Sequence, residues 1–189
     1  MTGVEIALWL LPAALLFWSV GAYNRLVRLR AQVKTAFALL AVQLAGYAIM
    51  VEDCVKSSPD QVSPELLAQA ADNALAALAA LHGACTQFQA SLRVASARPL
   101  GAAGMAALET AHGTLQVAWE RLLEQAIARP ELAPAASRIQ WAEQTRSATH
   151  AMAAFNQAVL SYNAAIAQFP ALLLARAVGF RPAGCLCAA

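Results

Sequence analysis

The chain carries none of the compact motifs that mark a reactive centre. It has no Gly-x-Ser-x-Gly and no His-Glu-x-x-His, so the usual signatures of acyl transfer and zinc hydrolysis are missing. Residues 101–104, Gly-Ala-Ala-Gly, form a small-residue stretch without the lysine that a phosphate-cradling loop uses. Excess charge is also lacking: 13 basic against 11 acidic residues leave a net charge of +2. Arg93, Arg98, Arg121, Arg129, Arg138 and Arg146 are scattered, with no basic stripe and no interleaved aromatics, so nucleic acid is not expected as a partner. The four cysteines, Cys54, Cys85, Cys185 and Cys187, are too few and too spread for the disulfide framework of a small secreted domain. Cys54 and Cys85 fall within helical patterns and read as small apolar packing residues. The Cys-x-Cys at the end is weak evidence for metal or lipid, and it is not a prenylation box. No strand alternation and no repeat of fixed period is present.

Apolar sequence and alanine are abundant. Sixty per cent of residues are apolar and the mean hydropathy is +0.52. Much of that is alanine, a strong helix former that does not by itself demand lipid. Residues 6–24 hold no charged side chain, 19 in a row, close to the roughly 20 that cross a bilayer. Arg25, Arg28, Arg30 and Lys34 come directly after them. Positive charge stays on the cytoplasmic side, so the expectation is an N-terminus outside and the rest of the chain in the cytoplasm of a single-pass inner-membrane protein. Trp9, Trp18 and Tyr23 suit the two interfaces. A cleaved signal peptide is the competing reading: Val20-Gly21-Ala22 resembles a cleavage site, but the n-region carries Glu5 and no Lys or Arg.

Beyond the anchor the periodicity is helical throughout. The first helix is expected to continue to about residue 56, with Leu26, Leu29, Val33, Leu40, Leu44, Tyr47 and Val51 as its buried stripe. Ser57-Ser58-Pro59-Asp60 ends it. Ser63, Pro64 and Glu65 have the character of a cap, a first-turn proline and a dipole-favoured acid, starting a second helix over 64–97. Its seam is Leu67, Ala71, Ala74, Leu78, Leu81, Cys85, Phe88 and Leu92. A break at 99–104 precedes a third helix over 105–129, with Leu108, Ala111, Leu115, Ala118 and Leu122 facing inward. After a short loop through Pro130 and Pro134, a fourth helix over 135–168 carries Trp141, Thr145, Ala148, Met152, Phe155, Val159, Tyr162, Ile166 and Phe169. A short helix over 172–178 ends at Gly179. Short connections make neighbouring helices antiparallel. The fold class is therefore all-α: a transmembrane helix continuing into an antiparallel bundle of about four long helices. Residues 1–24 are the tail and span, 25–182 the bundle, and 183–189 a flexible C-terminal tail.

His82, His112 and His150 lie on three different helices. Glu109-x-x-His112 has the spacing of one half of a carboxylate-bridged di-iron site, but neither of the other histidines has a glutamate three residues before it. No metal, cofactor or catalytic residue is assigned. Glu52 and Asp53 read as a solvated face. Trp119, Trp141, Phe155 and Tyr162 read as core. Asn156 and Asn163, seven apart and each after an aromatic, are placed either to fix the register between helices by hydrogen bonding or to be exposed; Asn24 stands after Tyr23 in the same way.

Two blocks of sequence resemble the LemA family. The first is Tyr23-Asn24-Arg25-Leu26-Val27-Arg28-Leu29-Arg30, then Val33, Ala36-Phe37 and Val42-Gln43-Leu44. The second is Phe155-Asn156-x-Ala158-Val159, Tyr162-Asn163, Ile166, Phe169-Pro170, Leu174-Ala175 and Gly179-Phe180-x-Pro182. The resemblance runs from the anchor to about Pro182. It implies a bacterial protein with a short external tail, one membrane helix, a cytoplasmic bundle and no established enzymatic activity; proteins of the magnetosome membrane are similar to the family. The chain departs from the family over residues 45–55, where a basic pair, a proline and an asparagine are absent. It also has Phe155 where the family has tyrosine, so it reads as a divergent member.

The function expected from all this is a non-catalytic scaffold. It would be held in the lipid bilayer by residues 6–24 and would dock unidentified protein partners. The alternative is a homo-oligomer that tiles or shapes the membrane.

Overall fold

The computed structural model describes residues 3–56 and 68–186. Among them the chain is all-helical, with no strand. Five helices run in order: α1 (Gly3–Lys56), α2 (Ala68–Ala97), α3 (Ala102–Ala126), α4 (Ala135–Ala167) and α5 (Ala171–Val178), with a 3-10 turn at Pro130–Leu132 between α3 and α4. The expected stop at Ser57–Asp60 and the start at Ser63, Pro64 and Glu65 lie outside the described residues, as do Leu67 and Cys187.

α1 runs unbroken for 54 residues. It is the one helix among the described residues long and apolar enough to cross a membrane. Along it the environment changes. Leu10, Leu16, Phe17, Trp18 and Val20 are exposed, whereas Leu26, Val33, Phe37, Leu40, Leu44, Tyr47 and Val51 are buried. Phe37 belongs to the same stripe as the expected residues, between Val33 and Leu40 at helical spacing, and the seam read from the sequence omitted it.

The apolar stripes of the four long helices face one another. Phe37 meets the edge of Phe155 at 5.5 Å between ring centroids, and Tyr47 meets Trp141 at 4.8 Å, so later residues of α1 face earlier residues of α4. Tyr47 also meets Phe88 of α2 at 6.2 Å, and Phe88 meets His112 of α3 at 5.7 Å. In α2, Ala74, Leu78, Leu81, Cys85, Phe88 and Leu92 are buried; the whole expected seam of α3 is buried as well. Burying these faces against one another, at about 25 cal/mol per Å² of apolar surface, is what holds the helices together.

Boundaries differ from expectation where packing overrides the local signal. α3 begins at Ala102 rather than 105. The turn closes at Arg98–Gly101 through the bond from Gly101 N–H to the Arg98 carbonyl, 2.9 Å, and Met105 N–H already bonds the Gly101 carbonyl. Gly104 is therefore helical. A Cβ on it would lie 3.7 Å from Ala95 Cα, an ordinary contact, so α2 and α3 pass closely here without requiring glycine. At the far end α4 stops at Ala167, and α5 leaves at 100° to it. The change of direction throws Phe169, expected in the seam, into solvent at 79% exposure.

The tail departs furthest from expectation. Residues 183–186 are not free: Ala183 and Leu186 are buried in the common core. The packed unit thus extends past residue 182, at least to Leu186.

Candidate functional site

The tail is held by the two asparagines that stood out in the sequence. Asn163 Nδ2 donates to the Ala183 carbonyl, and Ala183 N–H donates to Asn163 Oδ1, each at 2.9 Å. Asn156 does the same with Leu186: its amide donates to the Leu186 carbonyl and its oxygen accepts from Leu186 N–H. The spacing works because the two periods match. Seven residues of helix rise about 10.5 Å, and three residues of extended chain span about 10 Å. Just before Ala183 and Leu186 on the tail, the Arg181 carbonyl accepts from the Tyr162 hydroxyl at 3.0 Å. Neither asparagine sets the register between helices; both read the backbone of an extended segment. That segment also meets α3, because a Cβ on Gly184 would fall 2.9 Å from Ala102 Cα.

The turn before the tail aims it. Gly179 ends α5 with φ +79°, a left-handed conformation that favours glycine. Phe180 N–H bonds the Ala175 carbonyl and Gly179 N–H bonds the Arg176 carbonyl, the two bonds of a Schellman cap. The cap directs Phe180 back to α1, where its ring lies 6.3 Å from Tyr23 and 5.8 Å from the Arg30 guanidinium carbon. A cation over a ring face is held by the ring quadrupole.

The residues that carry the resemblance thus separate into groups. Tyr23, Arg30, Asn156, Tyr162, Asn163, Gly179 and Phe180, drawn from both ends of the sequence, share one assembly around the tail. Leu26 and Leu44 are core, and Leu29 packs against it. Gln43 belongs to another contact, its carbonyl accepting from the Gln144 amide of α4. Gly46 leaves room for that amide, since a Cβ there would lie 2.7 Å from Gln144 Nε2. Asn24, Val27, Val42, Phe169 and Pro182 are exposed, and Pro170 is half-buried as the residue before α5.

The histidines do not converge. His82 and His150 are exposed, while His112 is buried among aromatic rings, 5.6 Å from Tyr47. Its Nε2 has no hydrogen-bond partner within the protein, and burial pushes its pKa below the usual value. Among the described residues no three His, Cys, Asp or Glu side chains gather closely enough to hold a metal ion. Trp119 and Trp141 stack at 4.3 Å with an 8° interplanar angle, bridging α3 and α4 inside the core. Burial raises the pKa of Tyr47, and the hydrogen bond to Thr145 partly offsets it.

Between α1 and α4 lies an open, largely apolar groove of about 700 Å³, lined by Ala36, Leu39, Val42, Ala151 and Ala154 together with the polar Gln43, Arg146, Ser147 and His150. Leu39, Val42 and Ile49 lie on one stripe of α1 with exposures of 65, 69 and 65%. Monomeric proteins seldom leave such aligned apolar side chains in water. No protein-family model, curated protein or solved structure matches this chain significantly.

Proposed function

We propose that this protein is a LemA-type scaffold: a single transmembrane helix carrying an antiparallel, non-catalytic bundle that docks protein partners at the cytoplasmic face of a bacterial inner membrane. The observation that carries the reading is the continuity of α1. One helix presents exposed apolar side chains up to Val20 and then, from Leu26, becomes the core of the bundle. Lipid is the solvent that accommodates the first part, and Arg25, Arg28, Arg30 and Lys34 favour the cytoplasm for the bundle that α1 enters.

The groove between α1 and α4 is the docking face in this reading, with Leu39 and Val42 as its apolar contacts. The aligned exposure of Leu39, Val42 and Ile49 favours a second reading, in which the same stripe meets another copy of the chain and the protein tiles the membrane.

A photo-crosslinking residue at Val42, activated in native membranes, separates them. Adducts at one or more discrete masses other than the dimer support docking of partners. A dimer alone supports self-association, and no adduct of any kind removes both. Cys185, exposed on the tail, tests the topology: protection from an impermeant thiol reagent until cells are lysed is the expected result, and labelling in intact cells overturns it.

A further inference from the structure

A cavity of about 370 Å³ opens where α1, the α2–α3 turn and the tail meet. Arg30 and Lys34 reach it from α1, Arg98 from the end of α2 and Arg181 from the tail. Tyr162, whose hydroxyl binds the tail backbone, forms part of the wall. No Asp or Glu of the described residues lines it. Four cations from three separate stretches of sequence therefore line one half-open space, and an anion entering it would be attracted by all four.

We propose that this cavity is an anion site that binds a phosphate group. Three of its four cations are arginines, whose planar forks match phosphate oxygens in pairs. Arg30 is held in place by the Phe180 ring. Gly101 also lines the cavity and precedes α3, a helix with no acidic residue in its first turn and no side-chain cap, so the nearby backbone adds field of the same sign. Four positive charges call for an anion carrying more than one negative charge. A phosphate monoester, at roughly −1.5 to −2 near neutral pH, meets that condition better than a lone carboxylate.

Two sources share this chemistry: a lipid headgroup and free phosphate. The lipid source rests on the membrane-anchor reading. Arg30 is six residues past Asn24, about 9 Å along the helix, which puts the cavity near the headgroup layer. Basic clusters just cytoplasmic of a span bind anionic lipids in this way. The cavity itself does not depend on the anchor.

The test uses the full chain in a neutral detergent, dialysed to equilibrium against radiolabelled inorganic phosphate, with soluble short-chain phosphatidate as competitor. One saturable site is expected. Arg98→Gln with Arg181→Gln should weaken it by about tenfold per arginine. The charge-matched control, Arg93→Gln with Arg121→Gln on exposed helix positions, should leave it unchanged. Displacement by phosphatidate at lower concentration than by phosphate assigns the site to a headgroup, and the reverse order assigns it to the free ion. Saturable binding by neither ligand, or equal loss in the control, overturns the proposal. If Cys185 labelling places the bundle outside the cell, the anchor reading fails in its orientation and the phosphate result stands by itself.

Discussion

Asn163 and Ala183 exchange two hydrogen bonds, amide to carbonyl and backbone N–H to amide oxygen, both at 2.9 Å. Repeated by Asn156 at Leu186, this pairing turns one face of α4 into a holder for an extended chain. Asn163→Ala and Asn156→Ala should each cost about 1–2 kcal/mol, the net worth of the lost bonds. The change should be local. Hydrogen exchange at the Ala183 and Leu186 amides should speed up at least tenfold in the double variant, in line with about 1.4 kcal/mol per decade. Amides in the middle of α2 should stay protected.

Gly46 and Gln144 supply a second prediction. Gly46→Ala would drive a methyl into the Gln144 amide at 2.7 Å and displace it from the Gln43 carbonyl. That amide is the far end of a flexible, half-buried side chain that can turn aside, so the expected net loss is about 1 kcal/mol or less, read as a slightly lower melting temperature. Gly83→Ala makes the contrast, because nothing lies within 4 Å of its added Cβ. There the expected change is a gain of about 0.5–1 kcal/mol from helix entropy.

His112 should make the bundle sensitive to acid. Unfolded, its imidazole takes a proton near 6.5; folded, burial holds its pKa lower. The unfolded chain then binds more protons in the interval between those values. The stability that comes from keeping His112 neutral is fully present above about pH 6.5 and declines as pH falls below it. Denaturant titrations at pH 7.5 and at pH 5.5, taken as roughly one unit either side of that value, should show a drop in the native protein. His112→Leu should shrink that drop, and an unchanged drop would locate the acid sensitivity elsewhere.

Trp119 and Trp141 should act as one unit. Trp141→Ala removes a large buried ring and should cost about 3–5 kcal/mol. The stacked pair at 4.3 Å should also give an exciton signature in circular dichroism that either Trp→Phe change abolishes.

How much of this was legible in the sequence varies element by element. The seams of α2, α3 and α4 were readable because a 3.6-residue period must put every third or fourth side chain on one face, and Leu78, Leu115 and Phe155 obey it. Phe169 does not, because the helix stops at Ala167 before the period can carry it inward. Asn156 and Asn163 were conspicuous as a pair, but their partner is the backbone of residues 183 and 186, which offers no side-chain pattern to read. Arg98 looked scattered among other arginines, and only the turn at Arg98–Gly101 and the path of the tail bring it to Arg30, Lys34 and Arg181.

The sequence by itself determined that the described chain is helical, where its inward faces lie and that its first helix is apolar enough for a membrane. These are local properties, set by alanine-rich composition, periodicity and a run without charge. The tertiary structure decided which ends meet. Tyr23 reaches Phe180, the tail pairs with α4, and cations from three distant stretches of sequence share one cavity. Such contacts depend on the geometry of chain reversal and on close packing between separate segments, and no local pattern encodes either.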